Sequence, residues 1–145
     1  MDHDEFIGQV QNRARLADTG EALRASRATL TTLGERIQEG DAENLAAQLP
    51  EEIGRFLTDA ETHGERFEFD GFVDRVMERE ELTGEDERAD AVHHARTVLD
   101  VVEDAVTEGQ MNDLRDGLPE EEFGELFELA ERAEVPVEEE LRQDR

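Results

Sequence analysis

The side chains best placed to do chemistry near neutral pH are the four histidines, His3, His63, His93 and His94. Asp90 and His94 are four residues apart and His93 is three from Asp90. On a helix that spacing puts the carboxylate and an imidazole on one face, where the two can share a divalent metal. Two ligands do not complete a site, and a third has to come from elsewhere in the chain. The simpler reading of Asp90, His93 and His94 is a set of partly exposed polar residues on a helix. The single serine, Ser26, sits in an apolar stripe, which marks a small core residue rather than a nucleophile.

Other constellations are missing. Gly8, Gly20, Gly34 and Gly54 stand apart, with no Lys-Ser/Thr after them, so there is no phosphate-binding loop. Asp2-His3-Asp4 lacks the rest of a calcium loop. Carboxylates are too numerous for any pair to be informative, since general acid catalysis needs one in an apolar pocket with a raised pKa. With no cysteine there is no disulfide, thiolate metal site or thiol nucleophile. The sequence assigns no catalytic, cofactor-binding or metal-binding residue and implies no cofactor.

Charge dominates the composition. The 145 residues carry 41 acidic and 15 basic side chains, a formal charge of −26, and every basic residue is arginine. A folded chain of this mass exposes roughly 7,500 Å², so carboxylates stand about 13 Å apart on average. The Debye length is ~8 Å at 0.15 M salt and ~3 Å at 1 M. The compact state therefore repels itself in dilute buffer and is screened in molar salt. Heat adaptation enriches both Lys and Glu; acid enrichment without lysine instead fits a protein of an extreme halophile. Carboxylates run from Asp2 to Asp144, too evenly for a surface built around one basic partner. A footprint for nucleic acid is absent, and anionic lipid is disfavoured. The opening Met-Asp-His-Asp-Glu is unlike a signal peptide, and no apolar run approaches the ~18 residues of a membrane span. A cytoplasmic protein is expected.

The elements that would position any site come from an internal repeat. Asp4-Glu5-Phe6-Ile7-x-x-Val10 returns as Asp70-Gly71-Phe72-Val73-x-x-Val76, and Arg13 and Leu16 return as Arg79 and Leu82. Leu30-x-x-Leu33-x-x-x-Ile37-x-Glu39-Gly40 returns as Leu99-x-x-Val102-x-x-x-Val106-x-Glu108-Gly109, and Leu49-Pro50 as Leu118-Pro119. Ile53-Gly54-x-Phe56-Leu57 matches Phe123-Gly124-x-Leu126-Phe127. The offset grows from 66 to 69 around Thr83-Gly84 and to 70 after Pro119, where loops belong. Repeat 1 covers about 4–63, a linker 64–69, repeat 2 about 70–132 and a tail 133–145, all within one domain spanning 1–145.

Each repeat reads as four helices. In the first, Asp4 caps a helix bearing Phe6, Ile7, Val10 and Ala14. Asp18-x-x-Glu21 resembles a capping box for a second helix with the stripe Leu23, Ser26, Leu30, Leu33 and Ile37, ended by a left-handed Gly40. Asp41 caps a third with Leu45 and Leu49, and Pro50 takes the first turn of a fourth bearing Ile53, Phe56, Leu57 and Ala60. In repeat 2, Asp70 is the first cap, and Val98, Val101 and Ala105 widen the stripe of Val92, Ala95, Leu99, Val102 and Val106. A wider stripe places that helix nearer the centre, or leaves a surplus apolar face for a partner. Phe67 and Phe69 alternate with Glu in an extended linker pressed on the core, and Pro136 opens a short helix with Val137 and Leu141. The fold class is all-α: a bundle of about eight helices, two four-helix repeats related by a pseudo-twofold axis.

The run Leu30-Thr-Thr-Leu33-Gly-Glu-Arg36-Ile37 and the string Glu39-Gly40-Asp41-Ala42-Glu-Asn-Leu45-Ala46-Ala47-Gln48-Leu49-Pro50 resemble the bacterial and archaeal family called domain of unknown function 2267. Phe6-x-x-x-Val10 and its return at Phe72-x-x-x-Val76 also fit. Repeat 2 departs from the string, with Leu114-Arg-Asp-Gly117-Leu118-Pro119. The resemblance spans residues 4 to about 130 and implies a small, tandemly duplicated helical domain, with no activity, cofactor or catalytic residue. Two functions are compatible with the residues. One is a non-enzymatic interaction or scaffold module adapted to high salt, meeting another protein or a second copy of itself. The other is a small-ligand or metal-binding protein with its site between the repeats.

Overall fold

The computed structural model describes residues 1–134, and of these α8 side chains only as far as Phe127. The described residues form eight helices and no strand. They are α1 (His3–Ala14), α2 (Thr19–Arg36), α3 (Glu39–Ala46), α4 (Glu51–Thr58), α5 (Phe69–Glu80), α6 (Asp86–Ala105), α7 (Glu108–Gly117) and α8 (Glu120–Glu134). The expectation at Pro136, Val137 and Leu141 lies outside the described residues.

The apolar periodicity locates the helices well; several ends fall elsewhere than expected. Asp2, not Asp4, caps α1, accepting the Glu5 N–H at 2.8 Å. Asp18 caps α2 through the Glu21 N–H, and Glu21 reaches back to the Ala17 N–H, so the box-like pattern is real. Gly40 does not end α2. That helix stops at Arg36, with extended Ile37 as its C-cap, and Gly40 and Asp41 lie in the first turn of α3. Asp70 likewise sits in the first turn of α5, behind the cap position Glu68, and Phe69 opens that helix instead of ending a linker. Pro50 occupies the cap position of α4 rather than its first turn, and Ala60 lies beyond the helix end at Thr58. Neither Asp4 nor Asp70 is needed as a cap, because each chain enters its helix one or two residues earlier.

Two long helices form the centre. α2 packs on α1, α4, α5 and α6, and α6 packs on α1, α2, α5 and α8. The wide stripe of α6 does place it centrally, but α2 shares that position. Val98 and Val101 are fully buried, so α6 has no surplus apolar face. The only large apolar side chain exposed among the described residues is Met1. Phe69, Phe72 and Phe123 knit α5 to α8; Phe123 meets the other two rings edge-on at 6.2 and 6.0 Å.

The linker is tied along the end of α2. Gly64 and Glu65 donate backbone N–H groups to Ile37 and Glu35, and Arg36 Nε donates to the Phe67 carbonyl at 2.9 Å. Gly64 is the described glycine with positive φ, +71°, which turns the chain against the Gln38 side chain. Phe67 is half-buried beneath the Arg75 guanidinium, 4.0 Å from the ring centre.

Candidate functional site

The expected Asp90, His93 and His94 cluster lies on α6, but its members diverge. Asp90 and His93 are exposed, while His94 turns inward, with its side chain 14% exposed. His94 Nδ1 meets Glu80 Oε1 at 2.7 Å, and the Glu80 side chain is 5% exposed. Glu80 is the last residue of α5, and its second oxygen, Oε2, is buried without a hydrogen-bond partner. The three residues on α6 do not converge on one point. No group of three metal-ligating side chains occurs among the described residues.

Glu80 and His94 line a cavity of about 90 Å³. Its other walls are Leu16, Glu21 and Arg24 from the α1–α2 side, and Leu82 just beyond α5. Burial works against the charged form of His94. The Glu80 carboxylate, with Asp90 and Glu21 more distant, outweighs it and holds this imidazole above its ordinary pKa. His93 moves the other way: although the residue is exposed overall, partial desolvation of its ring, then the charge of neighbouring His94, pushes it down. Glu80 orients His94 through one ring nitrogen, and this is the arrangement that fixes a tautomer in many functional histidines. Ser26 is fully buried, and its hydroxyl donates to the Ala22 carbonyl within α2, as a small core residue does.

Glu80 was not singled out by its sequence pattern. It lies 14 residues from His94, a spacing with no meaning until α5 and α6 pack together. In the sequence match at offsets 66 and 69, Glu80 falls opposite Ala14 and His94 opposite Ala25, both buried.

A second charged cluster joins the helices. Glu35, on α2, receives both Arg79 nitrogens at 2.7 Å and Arg75 at 3.1 Å. Burial raises the Glu35 carboxyl, but the two guanidinium groups prevail and hold it below its ordinary value. Arg13, on α1, bridges Asp100 and Asp104 of α6, each at 2.5 Å. These pairs are saturated with their own partners, which reads as cohesion rather than as a binding site.

A family model described as "Uncharacterized conserved protein (DUF2267)" matches residues 3–126. The chain belongs to this family. No curated protein matches the chain. Membership covers α1 through α7 and the start of α8, so Glu80 and His94 lie wholly inside the family's domain. Among the described residues of this family member, no helix is long and apolar enough to cross a membrane.

Proposed function

We propose that this chain is a salt-adapted, two-repeat helical recognition module of the cytoplasm, without covalent chemistry of its own. The observation that carries the reading is the division between inside and outside. Every large apolar side chain described except Met1 is withdrawn into one core, while 41 acidic residues serve a surface of 8379 Å². A partner is therefore met through polar and charged groups, and a greasy docking stripe is not the means.

The duplication is part of the same proposal, and several features support it. Exchanging α1 with α5, α2 with α6, α3 with α7 and α4 with α8 turns the α1–α6 contact into the α5–α2 contact. It likewise turns α2–α4 into α6–α8 and leaves α2–α6 and α3–α7 paired with themselves. Both first helices end on a left-handed non-glycine residue, Arg15 and Glu81, at the offset of 66. The Arg13–Asp104 and Arg79–Glu35 pairs sit at matching positions and each crosses from one repeat to the other. A pseudo-twofold axis through a stripe-on-stripe interface accounts for all of these.

Thermal unfolding in 0.1, 0.5, 1 and 2 M KCl tests the salt adaptation: the midpoint is expected to climb steeply, and a flat response refutes it. Sedimentation in 2 M KCl is expected to give the 16.4 kDa monomer. A species of twice that mass would favour self-association over a polar partner.

A further inference from the structure

We propose that the partly buried Glu80–His94 pair is a proton-operated latch between α5 and α6: it holds these helices together beside the α1–α2 corner and admits water to the buried carboxylate oxygen when His94 is neutral.

The pair sits where the two halves of the chain meet. Glu80 ends α5, His94 is on α6, and the wall opposite is built by Leu16, Glu21 and Arg24. A buried ion pair costs desolvation that its Coulomb attraction only partly offsets, and it is tolerable only when both charges are present. Here even the closed state is incomplete, because Glu80 Oε2 has no partner. The aligned residues Ala14 and Ala25 fill the same places in the other half without any charge, so packing alone does not require the pair.

Protonated His94 donates from Nδ1 and balances the Glu80 charge. Once neutral, the ring can still donate that hydrogen bond, but the carboxylate stays buried without a counter-charge. The nearest relief is water. The adjoining cavity of about 90 Å³, which Glu80 and His94 themselves line, is large enough to hold water, and the buried Oε2 is reached from it only if the packing of α5 on α6 loosens.

The other charges around the ring do not replace the proton. From α2, Glu21 adds a negative charge, and the exposed Arg24 leans 3.8 Å from Glu81. From α6, Asp90 is negative, and His93 is held below its ordinary pKa. From α1, Arg13 is already taken by Asp100 and Asp104.

The test is amide hydrogen exchange followed by NMR in 2 M KCl from pH 5.5 to 9, corrected for intrinsic exchange, with the His94 ring titrated in the same samples. The opening constant at residues 91–98 of wild type is expected to rise by up to tenfold per pH unit from about 6.5 to the His94 midpoint, while amides of α3 stay level. His94→Gln, neutral at every pH, should remove that pH dependence. Glu80→Gln should return the ring midpoint to 6.5 or below. If wild-type exchange at 91–98 follows α3 at every pH, or the ring titrates at or below 6.5 in wild type, the latch is overturned without recourse to either variant. Neither result bears on the salt adaptation or on the oligomeric state.

Discussion

One methyl group distinguishes two helical glycines sharply. Gly8, in α1, has nothing within 4 Å of the place a Cβ would occupy. Gly34, in α2, is buried where α4 crosses, and a Cβ there would overlap the Leu57 carbonyl oxygen and lie 3.0 and 3.1 Å from the Leu57 carbonyl carbon and Cα. Carbon atoms pack best at about 3.5–4.0 Å, so α2 and α4 would have to part by roughly half an ångström or more. The atoms in the way are backbone, and Ile53 and Leu57 on α4 are fully buried, so the shift cannot be absorbed by one side chain. Overpacking of this kind costs about 1–3 kcal/mol. Replacing a helical glycine by alanine returns up to about 1 kcal/mol of backbone entropy. Gly34→Ala should therefore lose about 1–2 kcal/mol net, and Gly8→Ala should gain about 0.5–1. At roughly 2–4 °C per kcal/mol for a chain of this size, the two Tm values should move in opposite directions. Differential scanning calorimetry in 2 M KCl reads both. If Gly34→Ala melts as high as Gly8→Ala, the close α2–α4 crossing is wrong.

Three further perturbations follow from the same packing. Phe123→Ala removes a fully buried ring that faces Phe69, Phe72 and the Arg36 guanidinium; a loss of about 3–5 kcal/mol is expected in chemical denaturation, and a loss below 1 would mean that α8 does not close this core. Arg79→Met leaves Glu35 in contact with Arg75 alone, so unfolding should become easier by about 1–3 kcal/mol, whereas Arg55→Met, whose exposed ion pair with Glu51 lies within one helix, should change stability by under 1 kcal/mol. The two neighbouring histidines oppose each other in pH. The contribution of His94, whose folded pKa is raised, is complete below about pH 6.5 and disappears as pH climbs through the raised value. His93, whose folded pKa is depressed, is without effect above that pH and destabilises as pH falls through the lowered value. Wild-type Tm should thus fall on the alkaline side, His94→Gln should flatten that limb, and His93→Gln should flatten the acid one; a wild-type limb that survives His94→Gln unchanged would refute the assignment.

Helix number and order were legible because the apolar residues recur at three and four, a period that survives any tertiary arrangement. The core stripes at Leu30, Leu33, Leu99 and Val102 follow from that period and are buried as expected. Helix ends were less legible. Asp2 and Asp4 are equally good caps in isolation, and the choice depends on where the preceding chain runs. Gly40 looks like a terminator only if α2 is assumed to reach it; tying residues 63–67 to Gly34, Glu35, Arg36 and Ile37 ends the helix earlier.

Composition and periodicity alone settle the all-helical class, the number of helices and which face of each is apolar, since these depend on near neighbours along the chain. Contacts between distant helices decide everything else. That α6 has no face to spare follows from burial on several sides, which a stripe's width does not report. That Glu80 rather than Asp90 holds His94 follows from the packing of α5 on α6. Where a charge's partner lies on another helix, it is whatever the fold brings within about 3 Å, and no spacing within one helix can encode it.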